Sequence, residues 1–202
     1  RCPAETVLAV TLPRIAWDRE RDQMMDQMKK VYDLGVRDAL IGNLGMIAPA
    51  RELGFTLRGD YGLEVYNSQT YKELRHLGFA SVTASFELKF PQIRDLSKAL
   101  DTELIVYGRL PLMIMENCIL RKRTGGRCEK ACEGPDNLLT DRKGEKFPVI
   151  RAYGCRNELL NCKTLYLADK MADYQRLGLW AARLHFTTET PEDCFQAARR
   201  YL

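Results

Sequence analysis

The sequence is poor in histidine and lacks several motifs that would identify an enzyme class. It contains two histidines, His76 and His185, in 202 residues. There is no H-E-x-x-H helix of a zinc protease and no G-x-S-x-G elbow of an acyl hydrolase. No glycine-rich dinucleotide fingerprint follows the first strand-like segment, which argues against a Rossmann domain. The sequence therefore contains none of these motifs for hydrolysis or dinucleotide binding.

The chain also lacks a long apolar run, a strong net charge and a recognisable leader. No apolar stretch approaches the roughly 20 residues that span a bilayer, so no membrane contact is expected. The formal charge of +4 comes from 31 basic and 27 acidic residues, which does not identify a nucleic-acid binder. The chain starts at Arg1 without a basic and apolar leader, so we expect part of a longer protein.

What the sequence does have is a series of strand-like runs that alternate with helical patterns. Four Leu-Gly pairs, ending at Gly35, Gly54, Gly78 and Gly178, each close a helical pattern before the next strand-like run. Strands that alternate with helices predict a parallel sheet. We therefore expect an α/β fold, a TIM-like parallel (β/α) barrel. Parallel strands are predicted near Thr6, Asp38, Thr56, Ser81, Leu104, Thr164 and Ala181, one fewer than the eight of a complete barrel, which allows for an incomplete one.

This pattern is interrupted in the middle of the chain. Residues 137–150 read as two strand-like arms around Arg142, Lys143 and Gly144, which is typical of a β-hairpin. The expectation is one domain over residues 1–202, with an insertion at about 115–162 that carries the hairpin. Because it follows a strand, the insertion is expected at the carboxyl end of the sheet, where parallel α/β folds build their sites.

Five of the seven cysteines lie between Cys118 and Cys162, inside this insertion. Such clustering favours a metal site over disulfides, and with it a reducing, cytoplasmic compartment. Cys128 and Cys132 form a C-x3-C pair, with Cys118 upstream and Cys155 beyond the hairpin. Four thiolates suit either an iron-sulfur cluster or tetrahedral zinc, and buried free cysteines without any metal are the alternative.

The fourth ligand has two candidates, Cys155 and Cys162. Cys155 is favoured because Gly154 permits close approach of the backbone, whereas Cys162 leads into an apolar strand. Spacing alone does not exclude Cys162. Cys2 and Cys194 lie far away in the sequence and are expected to be structural.

Polar residues at predicted strand ends are the candidates for acid-base chemistry. Glu87 and Glu116 follow strand-like runs, and Asp60 follows a third. Arg183 and His185 lie at the end of the last predicted strand, where either could face a substrate. Glu116, His185, Arg183 and Glu87 are the predicted catalytic residues, against the alternative that each is a capping, core or solvated residue.

Several segments together resemble the peptidase U32, or collagenase-like, family over roughly residues 55–190. They are NSQT at 67–70, VTASFEL at 82–88, YGRLPLM at 107–113, LTDRKGEKFPV at 139–149 and RLHFTTE at 183–189. The resemblance implies a TIM-like barrel in the longer bacterial type, of which this chain would be a C-terminal part. Members are described as peptidases, and others act in RNA or ubiquinone hydroxylation with a four-cysteine [4Fe-4S] cluster.

Carried over by this resemblance, the cluster would bind to Cys118, Cys128, Cys132 and Cys155. The context of Cys118, after Glu116 and Asn117, lacks the glycine-rich setting of the short collagenase-like members, so their proteolysis is not implied here. The functional hypotheses are a redox or hydroxylation protein acting on RNA or a small molecule, a metal-dependent peptidase acting on peptides, and a scaffold with structural zinc. Other expected partners are the rest of a parent chain and a second copy of the protein.

Overall fold

The structure, a computed structural model, describes residues 5–123, 125, 127–128, 130–134 and 137–202. Its contacts divide the chain into two compact units. The first contains residues 1–104 and 172–182, and the second contains residues 105–171 and 183–202. The sequence predicted one domain with an insertion, and this division does not test that prediction. The predicted insertion lies within the second unit.

The first unit contains a parallel sheet in which neighbouring strands follow the order of the chain. Each strand pairs in parallel with the next, for example Leu40 with Arg58 and Arg58 with Ser81. Strand β5 starts in this unit and ends in the second. The strands are β1 (Ala9–Thr11), β2 (Asp38–Ile41), β3 (Thr56–Gly59), β4 (Phe79–Thr83) and β5 (Asp101–Gly108).

Helices connect these strands, as the alternating pattern predicted. They are α1 (Arg21–Asp33), α2 (Ile47–Glu52), α3 (Ser68–His76) and α4 (Phe90–Asp95). Apolar residues at helical spacing are buried, such as Met24 and Met28 of α1. The glycines that follow the predicted helix ends, Gly35, Gly54, Gly78 and Gly178, all have positive φ. These helix stops and the β-α order are therefore confirmed.

The second unit contains an antiparallel sheet in the order β6-β9-β8-β7. Strand β7 pairs with β8 through Leu139 and Phe147, and the turn between them contains Asp141 and Gly144. This is the hairpin that the sequence predicted. The elements are β6 (Pro111–Met115), α5 (Ile119–Arg123), β7 (Leu138–Thr140), β8 (Lys146–Ala152) and β9 (Arg156–Leu160).

The elements that follow β9 are divided between the two units. Strand β10 (Leu165–Tyr166) pairs with β5 in the antiparallel sense, Tyr166 opposite Tyr107. A parallel strand was predicted here, near Thr164, and that prediction is wrong. Between β5 and β10 the chain forms the antiparallel sheet instead of the crossover connection that a parallel neighbour needs, and β10 runs back along β5 in the opposite direction. Helix α6 (Met171–Gln175), strand β11 (Ala181–His185) and helix α7 (Pro191–Arg199) complete the chain.

The fold is thus mixed α/β with a sheet that is mainly parallel, which confirms the predicted class. The parallel pairs described join β1 through β5, fewer strands than the eight of a closed TIM barrel. A closed barrel is therefore not shown, and the open sheet agrees with the incomplete alternative. Among the described residues, no helix combines the length and apolar content needed to span a bilayer.

The close approach of two backbones at Gly108 generates a stability prediction. A Cβ added there would overlap the carbonyl oxygen of His185, and Gly108 has a φ of +124°. We expect Gly108→Ala to lower the free energy of unfolding by about 3 kcal/mol or more, because a backbone must move. Gly144→Ala is the matched control, since its positive φ of +84° has open space around it.

For this control we expect a loss of about 1 kcal/mol, from backbone conformation alone. Urea denaturation of both variants and the parent measures the difference. Equal losses for the two variants would contradict the steric interpretation.

Candidate cysteine site

The strands of the antiparallel sheet bring Cys118 and Cys155 to the same end of that sheet. Strand β6 ends at Met115, three residues before Cys118. Strand β8 ends at Ala152, and a 3-10 turn over Tyr153–Cys155 leads into β9. Met115 pairs with Asn157, and Ala152 pairs with Arg156. The segments that carry Cys118 and Cys155 therefore leave the sheet side by side.

Cys132 belongs to the same end of the sheet. It lies on a 3-10 turn, Ala131–Glu133, whose Glu133 carboxylate is 3.3 Å from the Arg151 guanidinium on β8. Cys118 and Cys132 both pack against a small apolar cluster formed by Leu120, Val149 and Leu159. Cys128, four residues before Cys132, is exposed.

The described cysteines are free thiols, and their side chains are not arranged as a complete metal-binding site. Cys118 and Cys132 are half-buried, whereas Cys128 and Cys155 are exposed. Within the described part of the chain, no group of three His, Cys, Asp or Glu side chains is arranged to hold a metal ion. The segments converge, but the four sulfur atoms do not already surround a common point.

The remaining cysteines lie elsewhere. Cys162 follows β9, at the opposite end of that strand from Cys155, and its carbonyl oxygen accepts a hydrogen bond from Arg109 Nη1 at 2.5 Å. Cys194 is half-buried on α7. Cys2 lies outside the described residues.

An ion pair joins Glu116, two residues before Cys118, to Arg156, the residue after Cys155. The Arg156 side chain is buried, whereas that of Glu116 is 46% exposed. Arg156 is 1% exposed, and its Nε donates to Glu116 Oε1 at 2.5 Å. Its Nη1 also donates to the carbonyl oxygen of Tyr153 at 3.0 Å. The neighbouring Cys155 has a left-handed backbone with a φ of 61°, which costs a residue with a side chain about 1 kcal/mol or more. The contacts of Arg156 help to offset that cost.

The structure separates the predicted catalytic residues. Glu87 belongs to the first unit, whereas Glu116, Arg183 and His185 belong to the second. Glu116 follows β6, an antiparallel strand of the second sheet, and its expected place at the carboxyl rim of the parallel sheet stays a prediction. Arg183 and His185 are half-buried on β11, where both make interactions. Their predicted catalytic roles stay predictions.

An open groove of about 600 Å³ lies in the second unit, and sequence reasoning did not find it. Helix α7 contributes side chains at helical spacing, Asp193, Ala197 and Arg200, and the facing wall contains Tyr107 and Arg109. Burial raises the pKa of the Tyr107 phenol, and the nearby negative charge of Glu189 raises it further. The groove is therefore lined by acidic, basic and aromatic side chains.

A polar network on the parallel sheet was also missed. Arg58 Nε lies 2.6 Å from Asp38 Oδ1, and Arg58 Nη1 donates to Ser81 Oγ at 3.1 Å. The Arg58 guanidinium also lies 5.1 Å from the centre of the Trp180 ring. Parallel strands buried on both faces are normally continuous apolar runs. The charged and hydroxyl residues within such runs were the signal that could have identified this network.

One protein family matches nearly the whole chain. Taken alone, the mixed α/β fold and the converging cysteine segments define an α/β protein with a candidate thiolate site. The sequence profile described as Peptidase family U32 matches residues 4–201. The chain belongs to this family, which confirms the resemblance inferred from the sequence.

Among solved structures, the chain is similar to the spore cortex-lytic enzyme SleL of Bacillus megaterium QM B1551. It matches with 10% sequence identity and a TM-score of 0.40, over 96% of this chain. The chain spans 59% of the length of that protein's chain. Among curated proteins, no match to this chain is found.

The contact of Glu87 generates a prediction about proton binding in the first unit. Tyr66 Oη donates to Glu87 Oε2 at 2.7 Å, and this hydrogen bond is the main cause that raises the pKa of Tyr66. We expect Glu87→Gln to lower the pKa of Tyr66 toward its ordinary value of about 10. The pKa of Tyr107, raised mainly by burial, serves as the control and should not change.

NMR titration of carbon-labelled tyrosine measures both pKa values in one experiment. Because the folded-state pKa of Tyr66 lies above its unfolded value, the hydrogen bond stabilises the fold fully below pH 10. This contribution is lost as the pH rises through the raised pKa. An unchanged Tyr66 pKa in the Glu87→Gln variant would contradict the assigned contact.

Proposed function

We propose that this U32 family chain binds a [4Fe-4S] cluster through Cys118, Cys128, Cys132 and Cys155 and acts in the modification of RNA or a small molecule. The observation that carries the proposal is the convergence of the segments bearing Cys118, Cys132 and Cys155 at one end of the antiparallel sheet. Soft thiolates suit iron-sulfur clusters, which are most often bound by four cysteines.

The donor set fits such a group. All four thiols are free, and the two that are half-buried pack on one apolar cluster, which would exclude water from one side of a bound metal centre. Cys128 and Cys155 are exposed, so a metal centre can reach these thiols from solvent. When bound, an iron-sulfur cluster supplies electron transfer.

The protein's own residues would act around that centre. Cys118 and Cys132 pack against the apolar cluster of Leu120, Val149 and Leu159, which limits the positions that their side chains can take. The exposed ion pair of Arg151 with Glu133 joins the turn that carries Cys132 to strand β8. These contacts restrict the thiols before they bind, and so lower the entropy that metal binding must overcome.

Anaerobic purification followed by iron and sulfide assays tests the proposal. We expect about four iron and four sulfide per chain, with broad visible absorbance, after reconstitution. Alanine at Cys128 or at Cys132 should abolish the absorbance. The matched controls Cys162→Ala and Cys194→Ala remove thiols outside the proposed set and should keep it.

Three results would overturn the assignment. A colourless, iron-free protein after anaerobic reconstitution would exclude the cluster, and stoichiometric zinc bound by the same thiols would replace it with a structural zinc site. Absorbance that persists in Cys155→Ala and is lost in Cys162→Ala would make Cys162 the fourth ligand.

A peptidase is the second candidate, and the description of the family carries it. A site closed by four cysteines leaves no open position for a hydrolytic water, so we expect no chelator-sensitive cleavage of gelatin by the pure protein. The assay is run with metal-loaded protein, Glu116→Gln and His185→Ala in parallel. Cleavage by the parent that both substitutions abolish would establish the peptidase instead.

A further inference from the structure

Two consecutive polar residues that follow Cys155 are completely buried. Arg156 and Asn157 are each 1% exposed, and Arg156 is the largest side chain in the described part of the protein to be buried to this degree. Taking a guanidinium out of water is costly unless its charge is paired and its N–H groups are hydrogen-bonded. Side chains that are buried at such a cost are expected to set the position of the chain segments that they contact.

Arg156 fixes the segment that precedes Cys118. Its Nε donates to the Glu116 carboxylate at 2.5 Å, and Glu116 lies two residues before Cys118. The same guanidinium donates through Nη1 to the carbonyl oxygen of Tyr153, two residues before Cys155. One buried cation therefore links the chain on the amino-terminal side of both cysteines.

Asn157 fixes the segment that follows Cys118. Its Oδ1 accepts a hydrogen bond from the backbone N–H of Ile119 at 2.8 Å. Neighbouring residues of a strand point to opposite faces, so Arg156 and Asn157 reach from opposite faces of β9. They hold residues 116 and 119, one on each side of Cys118.

This arrangement exceeds what strand pairing requires. The backbone ladder already joins β6 to β9, through Met115 and Asn157 among other pairs. The two side chains extend that connection beyond the end of β6, into the segment where Cys118 lies and where no strand pairing continues. Their effect is to set the position of Cys118 relative to Cys155.

We propose that Arg156 and Asn157 are positioning residues. They hold the thiols of Cys118 and Cys155 close enough for one short reagent to bridge them, before any metal binds. The inference rests on the proposed function, since it is as metal ligands that these two thiols would need a fixed separation. The spacing is a property of the protein itself, so it is present in the metal-free chain and can be measured there.

The test is thiol cross-linking in metal-free protein. A parent variant keeps Cys118 and Cys155 and has serine at the other five cysteines, and the probe is dibromobimane, a short reagent that bridges two nearby thiols. We expect efficient bridging within one chain. A second variant that keeps Cys118 and Cys162 instead is the control, because Cys162 follows the other end of β9, and it should bridge far more slowly.

Substitutions in the Cys118 and Cys155 parent then test the two positioning residues. We expect Arg156→Gln and Asn157→Ala to slow bridging about tenfold or more, because the rate of such a reaction depends steeply on how the reacting groups are positioned. Arg156→Lys retains the charge and should restore part of the rate. Arg142→Gln, which removes an exposed arginine in the hairpin turn, should have no effect.

Circular dichroism of each variant separates positioning from folding, since rates are compared only between folded proteins. Arg156→Lys and Asn157→Ala keep the test decisive if Arg156→Gln does not fold. Parent-like bridging in folded Arg156→Gln and Asn157→Ala would overturn the proposal, and so would equal bridging of the Cys118–Cys155 and Cys118–Cys162 pairs. A failed iron assay would instead reject only the cluster, because cross-linking uses no metal.

Discussion

The ion pair between Arg156 and Glu116 is the interaction on which the cysteine end of the second unit depends. A fully buried guanidinium is stable only with a counter-charge and hydrogen-bond acceptors, and here Glu116 and the Tyr153 carbonyl supply them. Satisfying one side chain therefore brings together the end of β6 and the turn between β8 and β9. The hydrogen bonds of the buried Arg156 therefore connect two segments that the strand pairing of β6 with β9 does not reach.

Much of the first unit could be predicted from the sequence because its rules are local. A helix that ends at glycine, followed by an apolar strand, is recognisable within about ten residues, and the positive φ at Gly35, Gly54 and Gly78 reflects the same local requirement. The hairpin of β7 and β8 was predictable for the same reason. Local patterns do not report pairing partners, so the antiparallel direction of β10 and the separate sheet of β6 were missed.

The candidate site shows the same limit. The clustering of cysteines in the sequence is visible as a count, but the distinction between Cys155 and Cys162 depends on which end of β9 each one follows. Arg156 was not singled out either, because a lone arginine in a strand is normally a surface residue. Its importance comes from burial and from a partner 40 residues away, and neither property is encoded in a short pattern.

The partnership of Glu116 also bears on how the family description should be interpreted for this chain. As a general base, Glu116 would take up a proton and lose its charge during each cycle. The ion pair of Glu116 with the buried Arg156 would then lose its negative partner during each cycle. We therefore propose that Glu116 holds the segment before Cys118 in place rather than acting as a general base.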